Sequence, residues 1–130
     1  MEGKKNRAKP MAKIKDDPER DERIAMEAIV DCYDEYEVAA GWYCYVQDRL
    51  STPFTATWVS KRRGNSKMVQ VVGMASDDEC ERELCVEIEL DGGIFSVPLV
   101  DIEPADDTDP ETQQVIGDWH YWVGQGGGFD

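Results

Sequence analysis

Five oxygen-bearing side chains fall within six residues of the segment 106–111, and they are of the type that binds hard cations. They are Asp106, Asp107, Thr108, Asp109 and Glu111. Calcium takes roughly six to eight oxygen ligands with flexible geometry, so a turn this rich in carboxylates predicts Ca²⁺ binding. If Asp109 caps a helix, Glu111 and Asp118 lie two turns apart on one face of that helix. Asp118 is therefore a further candidate ligand. The alternative is that these acids only cap the helix and offset its dipole.

The spacing of this segment resembles an EF-hand loop only in part. Asp107, Asp109 and Glu111 alternate as the first three ligands of such a loop do, and Asp118 falls at its last position. Thr112 stands where an EF-hand needs glycine, and the aspartate at the last position is shorter than the usual bidentate glutamate. The segment is therefore not an EF-hand.

A second acidic cluster lies in residues 76–83, between two predicted strands. Its carboxylates are Asp77, Asp78, Glu79, Glu81 and Glu83. On a turn, side chains and backbone carbonyls can converge on one ion, so this segment predicts a second calcium site. The alternative is a solvated acidic turn.

A third acidic cluster, with Asp31, Asp34, Glu35 and Glu37, lies at a predicted helix junction. Helical spacing aligns Asp31 with Asp34 and Glu35. A helix face offers few converging oxygens, so any calcium site here is expected to be weaker than the loop sites. The alternative is a solvated helix surface.

The charge of the chain is negative overall and unevenly distributed. The formal net charge is −14, yet residues 1–15 carry six basic side chains and only one acid, Glu2. The rest of the chain holds 27 acids and eight basic residues, a net charge of −19. A body this acidic repels phosphate backbones, so nucleic acid is not an expected partner. A bound cation would relieve the self-repulsion, although acidic surfaces also serve solubility alone.

Several other classes of protein lack their signatures here. No apolar run is long enough to span a membrane, and no apolar segment follows the basic N-terminal residues as in a secretory signal, so we expect a cytoplasmic protein. The four cysteines form no Cys-x-x-Cys pair, which argues against a zinc ribbon. The single histidine, His120, has no nucleophile at a suggestive spacing, so no enzyme is predicted.

Periodicity predicts an α+β fold. Helix signals run from the Asp17-Pro18 cap towards Tyr33, and a second helix restarts near Asp34 and ends near Leu50. Beyond Pro53 the period becomes two, which predicts four or five short antiparallel strands in a small bent sheet or an SH3-like barrel. A C-terminal helix starts at Asp109. The expected organisation is a flexible basic tail (1–16), one domain (17–123) and a glycine-rich tail (124–130).

Several apolar and aromatic stretches carry a resemblance to a known family. They are Gly41-Trp42-Tyr43-Cys44-Tyr45, Pro53-Phe54-Thr55-Ala56, Val71-Val72-Gly73-Met74-Ala75, Glu79-Cys80, Val97-Pro98-Leu99 and Asp118-Trp119-His120-Tyr121-Trp122-Val123. Because these stretches occur in this order, the chain resembles the CcbP family of bacterial and archaeal calcium-binding proteins over roughly residues 19–123. The basic tail lies outside the shared pattern.

The resemblance implies a small calcium-binding protein without EF-hands, which in cyanobacteria would buffer free Ca²⁺ and so influence heterocyst differentiation. We expect a monomer that acts as a calcium buffer or sensor. A regulatory protein partner or a protease is a further expected partner. The shared motifs look like scaffold, so the acidic clusters between them are the predicted ligands. The alternative is an SH3-like acidic interaction module that binds a basic partner.

Overall fold

The computed structural model describes residues 16–60, 64–76, 80 and 83–127. The helices and strands are listed here in chain order: α1 (Pro18–Arg23), a π-helical turn (Ile24–Ala28), α2 (Glu35–Arg49), β1 (Phe54–Ser60), β2 (Asn65–Met74), β3 (Cys85–Leu90), β4 (Gly93–Pro98), a 3₁₀ turn (Leu99–Asp101), β5 (Ile102–Pro104) and α3 (Pro110–Gly124). No helix in this described part has the length and apolar character needed to cross a membrane. The predicted basic tail, apart from Asp16, lies outside the described residues.

The five strands form one antiparallel sheet in the order β4-β3-β2-β1-β5. The register of β2 against β3 shifts between Val71 and Gly73, an irregularity typical of a β-bulge. The α+β prediction is confirmed. Of the two sheet forms predicted, the structure has the open sheet, since β4 and β5 occupy its two edges.

One face of the sheet is buried under the helices. Alternate strand residues, such as Val86 and Ile88 in β3, are fully buried and belong to the same core as Trp42 of α2 and Trp119 of α3. Their neighbours Glu87 and Glu89 point to the other face because successive side chains alternate along a strand. The period-two pattern in the sequence therefore identified the core face of this strand correctly.

Two helix starts were predicted from Asp-Pro pairs, and both are confirmed. The side chain of Asp17 accepts a hydrogen bond from the Arg20 N–H, and Pro18 stands at the first helical position. Asp109 caps α3 in the same way and accepts from two backbone N–H groups. In each case the carboxylate satisfies donors that the first helical turn leaves unpaired.

The first helix is shorter than predicted. The helical backbone ends at Ala28, Asp31 has a positive φ of 59°, and Tyr33 is 86% exposed, so the prediction that the helix runs towards Tyr33 is wrong beyond Ala28. The predicted restart at Asp34 is confirmed, because its carboxylate accepts the Glu37 N–H and caps α2.

Gly41 sits where α2 crosses the π-helical turn, and we predict that Gly41→Ala destabilises the protein. A Cβ at this position would lie 2.4 Å from the backbone oxygen of Ala28, which cannot move without shifting the turn. Alanine has a higher helix propensity than glycine by about 1 kcal/mol, but overpacking costs about 1–3 kcal/mol. We therefore expect the free energy of unfolding to fall. Urea unfolding measures the change.

The matched control for this prediction is Gly117→Ala in α3. Its added Cβ would lie 3.2 Å from the guanidinium of Arg20, so it needs a shift of a few tenths of an ångström in a side chain held by Asp118 and the Gly117 carbonyl, and not a shift of the backbone. This variant is expected to lose less stability than Gly41→Ala, and an equal or larger loss would contradict the steric explanation.

Candidate metal sites

Two of the three predicted acidic segments leave the sheet at the same end. β2 ends at Met74 before residues 76–83, and β5 ends at Pro104 before residues 106–109. Antiparallel pairing places the start of β1 beside the end of β2, with Phe54 opposite Val71, and also beside the end of β5, with Ala56 opposite Pro104. Since only β1 separates β2 from β5, these two strands lie about 10 Å apart across the sheet, and β2 runs on to Met74, five residues beyond Val69, which is level with Pro104.

The acidic loop 76–83 is held firmly where it joins the sheet. The Ala75 N–H donates to the Cys85 carbonyl at 3.0 Å, and the Tyr43 hydroxyl donates to the Ala75 carbonyl at 2.9 Å. The exposed carboxylate of Glu83 stands at its far end. The predicted ligands Asp77, Asp78, Glu79 and Glu81 lie outside the described residues.

Cys80 fixes the middle of this loop. It is 3% exposed, its N–H donates to the Ser76 carbonyl at 3.2 Å, and its sulfur accepts the Cys85 N–H at 3.2 Å. Sequence analysis missed the anchoring roles of Cys80 and Tyr43, although both stand in the stretches that carry the family resemblance. A buried cysteine in the middle of an acidic run was the available signal, since only packing explains an apolar thiol there.

The turn 106–109 is ordered by α3. The Gln113 side-chain amide donates to the carbonyls of Asp106 and Thr108, at 3.1 and 2.7 Å. The carboxylate of Asp109 is occupied by capping, as the alternative reading of this segment predicts. Asp106, Asp107 and Glu111 remain exposed to solvent.

Asp118 lies two turns from Glu111 in α3, as predicted, but its carboxylate is buried and already paired, whereas Glu111 is exposed. The Asp118 side chain is fully buried, and its Oδ1 atom lies 3.0 Å from Arg20 Nε and 2.6 Å from Arg23 Nη2. Its Oδ2 atom accepts from Arg23 Nε at 3.0 Å and from the Tyr45 hydroxyl at 2.7 Å. Two cations already neutralise this carboxylate, so we assign it a structural role.

The hydrogen bonds around Asp118 are reinforced by the environment of their donors. Burial and the hydrogen bond to Asp118 raise the pKa of Tyr45 to about 12, so the phenol remains a donor at any physiological pH. The hydrogen bond to Asp118 also raises the pKa of Arg23 above its already high value. The position of Asp118 was readable from the sequence, because it lies three residues after Val115 and four before Trp122, on the apolar side of α3.

The third cluster does not have the predicted helical alignment. Asp31 lies in a turn before α2, Asp34 is the cap of α2, and Glu35 is the first residue of the helix. All three side chains are exposed. The carboxylate of Asp34 is occupied by the Glu37 N–H at 2.9 Å, which leaves Asp31 and Glu35 as acids without a capping role.

His120 is a structural residue in this arrangement. Its Nε2 atom lies 3.2 Å from the Leu99 carbonyl oxygen, and its Nδ1 atom lies 3.8 Å from the Glu103 carboxylate. These contacts tie α3 to the segment that precedes β5.

The donor chemistry of the two loop segments fits calcium. Their side chains supply carboxylate oxygens, and the buried hydroxyl of Thr108 has no hydrogen-bond partner among the described residues. Within residues 16–60, 64–76, 80 and 83–127, however, no three carboxylate, imidazole or thiol groups converge closely enough to hold a metal ion. The described acids therefore supply at most part of a calcium coordination shell.

Comparison with known proteins agrees with this chemistry. A family model described as calcium binding, Calci_bind_CcbP, matches residues 22–123. The chain is 41% identical to CcbP from Anabaena in its crystal structure, with a TM-score of 0.80, over 89% of this chain and 98% of that one. It is equally similar to a calcium binding protein in the calcium-binding form, with a TM-score of 0.78 and the same identity and coverage. A comparison with curated proteins gave no match.

Proposed function

Because this chain belongs to the CcbP family of calcium-binding proteins, we propose that it binds Ca²⁺ through its two acidic loop segments. The first is residues 76–83, with Asp77, Asp78, Glu79 and Glu81 as the proposed ligands. The second is residues 106–111, where Asp106, Asp107 and Glu111 are exposed. Asp118 is not among the proposed ligands, because Arg20 and Arg23 already neutralise it.

The observation that carries the proposal is the anchoring of the loop 76–83. Five carboxylates in seven residues repel one another, and nothing in a solvated turn requires them to stay together. Here both ends of the loop and its middle residue, Cys80, are fixed to the sheet. A rigid scaffold that presents a charged loop is the usual arrangement of a binding site.

The same reasoning favours calcium over magnesium. Mg²⁺ requires a nearly ideal octahedral set of ligands and gives up its water reluctantly, whereas Ca²⁺ accepts more ligands in irregular geometry. Short acidic turns with mixed carboxylates and carbonyls supply the irregular kind of site. We therefore expect Ca²⁺ to bind more tightly than Mg²⁺.

We predict that Ca²⁺ raises the thermal stability of the full chain specifically. At a hundredfold excess over the dissociation constant, binding to the folded state stabilises it by about 2.7 kcal/mol. Thermal melts in Ca²⁺, in Mg²⁺ and in NaCl at equal ionic strength separate binding from charge screening. Equal shifts in all three salts would mean that the cations only screen the acidic surface, and the proposal would fail.

Variants show which of the two acidic segments is responsible for the Ca²⁺-specific stabilisation. Asp77→Asn with Asp78→Asn tests the loop 76–83, and Asp106→Asn with Asp107→Asn tests the turn 106–111. The matched control is Glu19→Gln with Glu22→Gln, which removes the same two charges from exposed positions of α1, outside every predicted cluster. Each loop pair is expected to reduce the Ca²⁺-specific shift, whereas the control pair is expected to preserve it.

The proposed role of calcium binding is control of free Ca²⁺ in the cytoplasm by a protein that is not an enzyme. In a heterocyst-forming cyanobacterium, such control would bear on heterocyst differentiation. Whether the protein acts as a buffer or a sensor is decided by an amide-shift titration with Ca²⁺. Shifts confined to the loop segments indicate a buffer, and shifts that spread through the helices indicate a sensor with a protein target.

A further inference from the structure

An exposed patch of apolar side chains surrounds the junction between the π-helical turn and α2. Met26, Val30, Tyr33 and Tyr36 are 63%, 47%, 86% and 86% exposed. They are four of the eight large hydrophobic side chains that are exposed in the described part of the chain, and they fall within eleven consecutive residues. Exposed aromatic residues concentrated in this way are typical of a contact surface.

The same surface is strongly acidic. Residues 26–37 contain five carboxylates and no lysine or arginine. Asp34 and Glu37 hold backbone N–H groups, and Glu27 is paired with Arg49 at 3.3 Å. Asp31 and Glu35 are exposed and, within the described residues, neither is paired with a cation.

The carboxylates of this surface also act on the thiol of Cys32. Burial, together with the carboxylates of Glu37, Asp31 and Asp34, raises the pKa of Cys32. A partner for this surface must therefore be basic, and it must also carry apolar groups to cover the tyrosines. Lysine and arginine side chains satisfy both needs, since they bind aromatic faces as cations and pack through their methylene stems.

The chain itself contains a segment of this composition. Residues 1–15 hold the six basic side chains of the N-terminal tail, one acid, and the apolar residues Met11 and Ile14. This tail lies outside the family match, which starts at residue 22. It joins the described structure at Asp16, immediately before α1, and α1 leads directly into the π-helical turn that carries Met26.

The distances permit the tail to reach this surface. The helical stretch from Pro18 to Ala28 is about 16 Å long at 1.5 Å per residue. Fifteen residues span up to about 50 Å when extended. A segment tethered this closely has an effective concentration in the millimolar range, so even a weak contact is populated within one molecule.

We propose that the basic tail, residues 1–15, docks on the acidic tyrosine surface of residues 26–37 of the same molecule. Its lysines pair with Asp31 and Glu35, and its basic and apolar side chains cover Tyr33 and Tyr36. The inference is independent of the proposed calcium loops, because it uses a surface at the start of α2 and not the end of the sheet where those loops lie.

Zero-length carbodiimide crosslinking of the full chain tests the proposal, because it joins lysine amines only to carboxylates in direct contact. Mass spectrometry of the monomer band is expected to find tail lysines linked to Asp31 and Glu35 about tenfold more often than to the exposed control acids Glu89 and Glu103. In 1 M NaCl these links are expected to disappear, because the Debye length falls to about 3 Å.

Paired variants test the aromatic part of the surface. Tyr33→Ser with Tyr36→Ser is expected to reduce the links to Asp31 and Glu35 about threefold, by removing the cation–aromatic contacts. Phe95→Ser, which removes an exposed aromatic ring from β4, is the control and is expected to leave them unchanged.

Four results would overturn the proposal. Links spread over all surface acids in proportion to their exposure would show a tail without a fixed site, and links concentrated in residues 77–83 or 106–111 would place it on the calcium loops. Links found only in covalent dimers would show that the tail reaches a second copy. Links unaffected by the tyrosine variants would show charge attraction without a docking surface.

Discussion

Replacing Asp118 by alanine is expected to lower the free energy of unfolding by about 3–5 kcal/mol, because it breaks a buried ion cluster and leaves cations without their partner. Arg20 and Arg23 converge on this carboxylate, and Tyr45 donates to it at 2.7 Å. The lower end of the range is the more realistic, since the two arginine side chains are 29% and 22% exposed and regain some hydration. Urea unfolding monitored by circular dichroism measures the loss.

Glu111→Gln is the matched control for this prediction, because it removes the same charge from an exposed position of the same helix. In Ca²⁺-free buffer, where the proposed ligand role of Glu111 does not contribute, its effect is expected to stay within about 0.5 kcal/mol. A loss below about 1 kcal/mol in Asp118→Ala would contradict the structural role. The two assignments of Asp118 also differ in a calcium titration: Asp118→Asn should retain the Ca²⁺-specific stabilisation if Asp118 is structural and lose it if Asp118 is a ligand.

Replacing Trp42 by alanine is expected to cost about 3–5 kcal/mol, the range found when large aromatic side chains are removed from a core. The indole is fully buried, and its ring centroid lies 5.0 Å from that of Trp119 and 5.3 Å from that of Trp122. These contacts join α2 to α3, so the substitution opens a cavity between the two helices. Thermal unfolding and the near-ultraviolet circular dichroism of the tryptophans report the loss.

Trp42→Phe distinguishes the effect of losing side-chain volume from the effect of losing the indole N–H group. The Trp42 Nε1–H group is buried and has no hydrogen-bond partner among the described residues, so phenylalanine removes an unsatisfied donor together with part of the ring. We expect this variant to lose less than half of what alanine loses. Tyr36→Ala, an exposed aromatic position on the same helix, should change stability by no more than about 0.5 kcal/mol. A large loss in that control would mean that α2 is sensitive to any substitution.

The elements that local chemistry determines were predictable from the sequence. Asp17-Pro18 and Asp109-Pro110 mark helix starts because a carboxylate followed by proline satisfies the first turn without needing a partner elsewhere. The alternation of Val86 and Ile88 with glutamates identified β3, because one face of that strand is buried and the other is solvated.

The features that depend on distant residues were not predictable. The burial of Asp118 follows from its place on the apolar side of α3, but no local pattern identifies its partners Arg20 and Arg23, which lie nearly a hundred residues earlier. The anchoring of the loop 76–83 depends on Tyr43 in α2, which no spacing rule connects to Ala75. The break at Asp31 depends on a left-handed backbone that aspartate tolerates but does not require.

The attachment of α1 also decides when this helix can form. α1 buries none of its own side chains, and its hydrogen bonds to α3 join residues 95 to 104 positions apart, including Asp17 to Tyr121 and Arg23 to Asp118. Even the whole helical stretch Pro18–Ala28 is too short to persist alone, so α1 gains these hydrogen bonds only after α3 has been synthesised and packed. During synthesis, the first helix to leave the ribosome is therefore the last to gain its partners, and α3 completes the fold by closing a loop over almost the whole domain.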